Sequence, residues 1–386
     1  MRRFFQELED FFKKGDMVLL LFALVTAGFG LIAIASATQA PKFEGNLRYI
    51  AVQVASIVLG VMVYAIMSSI DIESMTERRN LFVIFNTLLL LMLIPFGVDR
   101  GGNKSWLDIP GVPVMIQPAE ICKITYIIIM ASVMNSRKNQ ISSVPSVIEM
   151  VLHLGMLVGL NLALSKDMGV SLIFVFIFIG MTFAGGVHIG WFIAAITAIV
   201  VAIPVVFPYL GEHQQQRIMV LIDPSYDALG TGARYHAKIN MLSLTGGGLT
   251  GQGLFNGNRT QGGLLYAQHT DYIFSSMGEE LGFLGCVLIM IMEFAIIARC
   301  IFVGVRAQDY IRRLVCYGAA SALIFQVMIN VGMCIGVMPV IGLTLPMISY
   351  GPSSVVTIFG MLGLVSGAHA RPQSLSHERY IQPYRG

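Results

Sequence analysis

The sequence predicts an all-α polytopic membrane protein of about ten transmembrane helices, with a large extracytoplasmic loop between the seventh and the eighth. Three observations predict it. Of 386 residues, 55% are hydrophobic and only 12% are charged, where soluble domains carry roughly 25% charge. The apolar residues gather into runs of about 20, the length that crosses a hydrocarbon core of about 30 Å. In lipid only helices or closed barrels satisfy their own backbone hydrogen bonds, and runs this long are helical. The net charge of +3 is too small to imply a nucleic-acid partner.

Taken in order, residues 1–16 (MRRFFQELEDFFKKGD) form a charged amphipathic start, expected to be cytoplasmic. The first apolar run follows without a small-residue cleavage site and reads as a retained helix, not a signal peptide. Runs bounded by charges or by Pro/Gly clusters place the spans at 17–38, 49–68, 81–97, 117–135, 147–164, 169–185, 189–209, 282–303, 314–336 and 350–369. The fifth and sixth are nearly continuous across LSKDMG. Arg2, Arg3, Lys13 and Lys14 precede the first span; with these inside, ten spans also place Arg78, Arg79, Arg137, Lys138, Arg306, Arg312, Arg313, Arg371, Arg379 and Arg385 inside. That is the expected cytoplasmic bias. Both termini are then cytoplasmic, including a tail over 371–386, and the passage over 210–281 is extracytoplasmic. The whole chain, 1–386, reads as one membrane domain. No internal repeat marks the paired halves of a transporter. Cys122, Cys286, Cys300, Cys316 and Cys334 all fall in apolar runs with no CxxC, so they read as small buried hydrophobes.

The polar passage from His213 to Glu280 is where chemistry is expected. Gly246, Gly248 and Gly251 satisfy GxGxxG, but a dinucleotide site needs a strand before and a helix after it within a βαβ unit. Here the motif belongs to a loop with eight glycines between Gly246 and Gly263. Two readings stand: a backbone that folds tightly and approaches a ligand closely, or a merely flexible loop. Asp271 lies just before an apolar helix and beside His269 and Thr270. Arg217, Arg234, Lys238 and Arg259 share its passage, so a carboxylate surrounded by cations that hold a phosphate-bearing substrate is one reading, and a solvated loop acid the other.

Glu120 and Lys123 stand one helical turn apart near the outer end of the fourth span. They are either an ion pair that orients the helix or the lining of a polar cavity. Asp167 beside Lys166 has the same two readings. Glu279 and Glu280 are expected to open the eighth span, where acids favour a helix N-terminus. Prolines at 339, 346 and 352 interrupt the last apolar stretch, which therefore reads as a re-entrant wall of a cavity.

Several separate stretches, in order and over nearly the whole chain, resemble the SEDS family of bacterial wall synthesis, the RodA, FtsW and SpoVE proteins. They are IASAT, GNKSWLDIPGVPVMIQPAEICK, KDMGVSL, RIMVLIDPSYDALGTGARYHAKIN, GGGLTGQGL, TQ, HTDYIFSSMGEELGFLG, NVGM and MPVIGLTLPMISYG followed by PSS. The resemblance implies a peptidoglycan glycosyltransferase of the bacterial cytoplasmic membrane, most like RodA. Such a protein polymerises lipid II into glycan strands at the outer face, with a class B penicillin-binding protein as partner and membrane lipids around it. It puts the catalytic carboxylate on Asp271 and the cavity pair on Glu120 and Lys123. Trp106, Gln117, Asp167, Arg217, Gln261, Glu279, Glu280 and Ser349 match further motif positions. Arg217, Arg234 and Lys238 are then candidates for the substrate's pyrophosphates, with His269 and Thr270 beside the acid and a divalent cation assisting. There are departures: Tyr266, Ala267 and Gln268 stand where the family often has Leu-Pro-Glu, Lys166 where it has proline, and Pro352 where SYGGSS has glycine. A precursor flippase and a non-enzymatic scaffold for the penicillin-binding protein are the alternative functions.

Overall fold

The structure, a computed structural model, describes residues 15–43, 46–100, 103–108, 115–209, 215, 219 and 233–370. The expected terminal segments up to residue 14 and from 371 onward lie outside the described residues, as does most of 210–232.

Each apolar run is a helix. In chain order these are α1 Met17–Ala37, α2 Asn46–Ser69, α3 Ile72–Glu77, α4 Arg79–Leu91, α5 Leu93–Phe96, α6 Pro118–Ser136, α7 Val144–Ser165, α8 Met168–Ala184, α9 Ile189–Val206, α10 Ala233–Gly246, α11 Asn258–Gln261, α12 Ile273–Arg306, α13 Tyr310–Cys334 and α14 Pro352–Ala370. Among the described residues eight segments are long and apolar enough to cross a membrane; Met168–Ala184 and Ile189–Pro204 are shorter apolar helices at the places expected for spans six and seven. The chain is a helical multi-pass membrane protein. One departure from an all-α reading is a small antiparallel hairpin, β1 Gly97–Arg100 with β2 Asn103–Leu107, which pairs Val98 with Trp106.

Helix starts follow the local chemistry. Asp16, Asp167 and Asp309 each accept a backbone N–H of the first turn of α1, α8 and α13, using donors that a helix N-terminus leaves over. The near-continuous LSKDMG does break: Lys166 takes a left-handed φ of 58° and Asp167 caps the next helix.

The interior is built on α6, α13 and α14, whose side chains are mostly buried. Helix α14 lies along α2, close enough that a Cβ on Gly363 would press on the Tyr64 backbone, the small-residue contact typical of membrane helices. Outward, α2, α4, α7 and α9 carry exposed Val58, Ile66, Leu81, Phe85, Leu152, Ile193 and Ile196, which suits lipid rather than water.

The passage expected as a loop over 210–281 is partly helical, and its final helix begins earlier than the sequence suggested. Helix α12 starts at Ile273 and is broken at Gly282, whose φ is 67° and ψ −163°. The break frees backbone groups that the glycine loop then satisfies. Gln252 and Gly253 N–H donate to the Glu279 and Glu280 carbonyls, while Phe283 and Leu284 N–H donate to the Gly248 and Leu249 carbonyls. Of the two readings of the glycines, close approach holds, but to the chain's own backbone. Gly251 sits at φ 82°, and a Cβ there would collide with the Glu280 carbonyl. Gly251→Ala is therefore expected to destabilise by about 1–3 kcal/mol or more through overpacking, read as a lower melting temperature in detergent.

Candidate functional site

The starts of α2, α6, α8, α12 and α14 and the end of α1 meet at one end of the bundle, and Gln117, Asp167, His269, Thr270, Asp271 and Ser349 lie there with them. Arginine–carboxylate pairs collect at the other end: Arg299 with Asp16 at 2.8 Å, Arg312 with Glu73 at 2.7 Å, and Arg137 with Glu149 at 2.8 Å.

Asp271 ends a tight turn. Ala267 opens it in a left-handed conformation, φ 46°, a strained state for a residue with a Cβ and of a kind that clusters at functional sites. Each carbonyl of the turn is occupied from elsewhere. That of Gln268 takes the Ser276 hydroxyl at 3.1 Å, that of Thr270 the Ser349 hydroxyl at 2.6 Å, and that of Asp271 the Asn330 amide at 2.8 Å. The His269 carbonyl takes the Tyr350 N–H at 2.9 Å. The irregular stretch 335–351, expected from its prolines as a cavity wall, docks on the turn through these bonds. Its Gly342 leaves room beside the acid, since a Cβ there would stand 3.5 Å from the Asp271 Oδ2. Gln53, buried in α2, reads the same wall with both ends of its amide, donating to Ser349 O at 3.3 Å and accepting from Gly351 N at 3.4 Å.

His269 packs edge-on against Phe43 and Tyr49, with centroids 4.9 and 5.2 Å away, and lies 5.6 Å from Tyr350. Burial, and then the Lys42 charge, depress its pKa to about 4. Because the folded pKa lies below the usual 6.5, the folded state binds fewer protons between those values, and stability falls as pH drops through that window. The full effect is roughly 3 kcal/mol. Melting temperature is expected to fall between about pH 6.5 and pH 4, and His269→Gln is expected to flatten that slope.

A second group surrounds Asp167. Its carboxylate accepts from Gln117 Nε2 at 3.0 Å and from Val170 N at 3.1 Å. Burial raises its pKa, and the Glu120 charge adds to the rise. Its partner is therefore Gln117, not the adjacent Lys166. Glu120 and Lys123 form an ion pair at 2.8 Å with side chains 5% and 0% exposed. Trp106, on β2 next to buried Ser105, is partly exposed. The wall joins both groups: a Cβ on Gly169, just past Asp167, would touch Ile341 and Leu343, which flank Gly342.

Other expected residues lie elsewhere. Glu279 and Glu280 do not open a helix; they end the first limb of α12 and are fully buried, because the helix begins six residues earlier than Glu279. Glu279 accepts from Arg259 N at 3.0 Å, Thr260 N at 2.8 Å and the Thr260 hydroxyl at 2.7 Å. Glu280 accepts from the Ser36 hydroxyl, from Gln261 Nε2 at 2.8 Å and from Phe255 N at 3.2 Å. These acids fasten the glycine loop and the end of α1. The expected ring of cations about Asp271 is not assembled among the described residues. Arg259 turns to Glu279 at 3.5 Å, Lys238 is exposed on α10, Arg217 lies outside the described residues, and the Arg234 side chain is likewise outside them. Among the described residues a cation near the turn is Lys42, which sequence reasoning missed; it donates to the Gly263 and Leu265 carbonyls at 2.9 and 2.5 Å. Among the described residues no group of three or more His, Cys, Asp or Glu forms a donor set for a resident metal.

A profile of the FtsW, RodA and SpoVE cell cycle proteins matches residues 16–373. The chain is 30% identical to the peptidoglycan glycosyltransferase MrdB of Escherichia coli, over 93% of this chain and 94% of that one. It is 32% identical to the probable peptidoglycan glycosyltransferase FtsW of Thiomicrospira cyclica, over 91% and 90%. Among solved structures it superposes on a chain of a peptidoglycan synthase complex that coordinates polymerization and crosslinking, with TM-score 0.78, 25% identity, and 95% and 99% of the two chains covered. The rod shape determining protein RodA of Thermus thermophilus gives TM-score 0.67 at 23% identity, with 95% and 98% covered, and shares the fold. With the profile spanning nearly its whole length, this chain belongs to the FtsW, RodA and SpoVE family of cell cycle proteins.

Proposed function

We propose that the chain is a peptidoglycan glycosyltransferase that polymerises lipid II, with Asp271 as general base. The observation that carries this is the Asp271 turn: a carboxylate at one end of the bundle, on a backbone held at every carbonyl from 268 to 271, with an uncrowded glycine beside it. Such rigidity is what general-base chemistry needs, since the base must stand within hydrogen-bond reach of the proton it takes. Asp271 removes the proton from the acceptor sugar hydroxyl; that oxygen bonds the donor's anomeric carbon as the bond to undecaprenyl pyrophosphate breaks, and the leaving group takes the bonding electron pair. Lys42, and from the sequence Arg217, Arg234 and Lys238, are the cations offered to the pyrophosphates. A divalent cation assisting at the pyrophosphates stays part of this reading; among the described residues no group of three or more His, Cys, Asp or Glu gathers to hold it.

The positive-inside bias supports a cytoplasmic arginine-rich end and cytoplasmic termini, with Asp271 facing outward in the bacterial cytoplasmic membrane. A class B penicillin-binding protein is the proposed partner; the likeness to a chain of a synthase complex supports it. Proteoliposomes loaded with labelled lipid II test polymerisation and translocation together. Glycan strands without lipid movement above that of empty vesicles are expected. Movement without strands overturns the proposal in favour of a flippase, and neither signal in the presence of the partner favours a scaffold.

A further inference from the structure

Two buried amides grip the Asp271 turn from different elements. Gln268, fully buried, donates both hydrogens of Nε2 to carbonyls, Ala37 O on α1 at 2.6 Å and Thr260 O on α11 at 3.0 Å. Asn330, fully buried on α13, does the same with Nδ2, to Asp271 O at 2.8 Å and Leu343 O at 2.7 Å. Among the described residues neither amide oxygen has a partner. Each position therefore uses its side chain purely as a neutral double donor facing two carbonyl oxygens.

That pattern discriminates chemically between an amide and its isosteric acid. A carboxylate at position 330 has no hydrogen to give and sets a full negative charge against two carbonyl oxygens in a buried setting, where an unmade hydrogen bond and an uncompensated charge are both costly. A protonated acid restores one of the two bonds. The titratable groups facing Asn330 are Asp271 itself and Cys334, whose Sγ lies 3.9 Å from Asp271 O. Those facing Gln268 are His269, with Lys42 bound at Leu265 O, and Glu279, bound to Thr260 and paired with Arg259. Asn330 holds Asp271 and the wall flanking Gly342 with one group, so it sets the acid's place relative to the space beside it.

We infer that Asn330 and Gln268 are positioning residues for Asp271, a pair of neutral amide clamps that fix the catalytic turn between α1, α11, α13 and the 341–343 wall. This rests on the reading of Asp271 as the base. The test is lipid II polymerisation by the purified complex with Asn330→Asp, with Gln268→Met as the second variant because glutamate often stands at that place in the family, each expressed as a ratio to wild type across pH. At about pH 8 kcat is expected to fall by about tenfold or more with KM within about twofold, since a small displacement of the base is felt in the chemical step. For Asn330→Asp the ratio is expected to rise as pH drops toward about 6, where burial lets the introduced acid regain its proton; for Gln268→Met, which has no proton to regain, it is expected to stay flat. A pH-independent ratio for Asn330→Asp, a loss matching a fall in melting temperature, or wild-type kinetics in both variants overturns the clamp. If Asn330→Asp does not fold, Gln268→Met decides by its loss of kcat at unchanged melting temperature. Asp271→Asn in the same assay separates the two claims. If it polymerises as wild type, the base reading fails; if it is inactive while both clamp variants match wild type, only the clamp fails.

Discussion

Asp271→Asn is expected to lower kcat for lipid II polymerisation by about 10²–10⁴-fold, the usual contribution of a positioned general base. The turn is held through its backbone carbonyls by Ser276, Tyr350, Ser349 and Asn330, and the amide is isosteric with the acid. The substitution therefore removes proton acceptance while leaving the turn in place. KM is expected to change little, because an interaction made only in the transition state is lost from kcat and kcat/KM alike. Asp271→Glu is a useful companion: it keeps the acid and moves it by one methylene next to Gly342, so a partial loss is expected. Steady-state kinetics on protein of matched melting temperature checks both.

Lys123→Met is expected to destabilise the fold by about 3–5 kcal/mol, because it strands the buried Glu120 charge. The two side chains are 0% and 5% exposed at 2.8 Å, so water cannot take the place of the lost partner. The double variant Glu120→Gln with Lys123→Met removes both charges and is expected to recover most of that stability, as replacement of a whole buried pair usually does. Thermal unfolding in detergent reads the difference. If the single and double variants melt alike, the pair is not what holds the start of α6. If the double variant melts as wild type yet polymerises poorly, the pair serves the reaction as well as the fold.

Much of the architecture was legible because lipid leaves few choices. A run of apolar residues must be helical there, and the ends of the runs were marked by Asp16, Asp167, Asp309, Pro118 and Pro352. The helix break at Gly282 was not legible. Glu279 and Glu280 precede an apolar run, which is how a helix N-terminus reads, and only the arrival of the glycine loop shows that the helix already began at Ile273. The cations were legible only in part. Arg259 and Lys238 share a stretch of sequence with Asp271, but a shared stretch is not a shared place: Arg259 pairs with Glu279 and Lys238 faces outward, while Arg217 and the Arg234 side chain lie outside the described residues.

Lys42, near His269, comes from a short loop over two hundred residues upstream, and nothing local announced it. Gln117 with Asp167 is likewise a contact across 50 residues. Asn330 and Gln53 were the signals left unread. A lone amide inside an apolar run is costly to leave without a partner, and each of the two binds the wall of the site. The turn that carries Asp271, the proposed base, was legible through the motif around it, because the residues that build it, HTD and SYG, are also those that make the sequence resemble its family.

The most direct measurement is a gel of glycan strands formed from labelled lipid II by two complexes purified in the same way, one with the wild-type chain and one with Asp271→Asn, with no other glycosyltransferase present. Strands from the wild type and almost none from the variant are the expected result. Strands of equal yield and length from both would show that Asp271 is not the base.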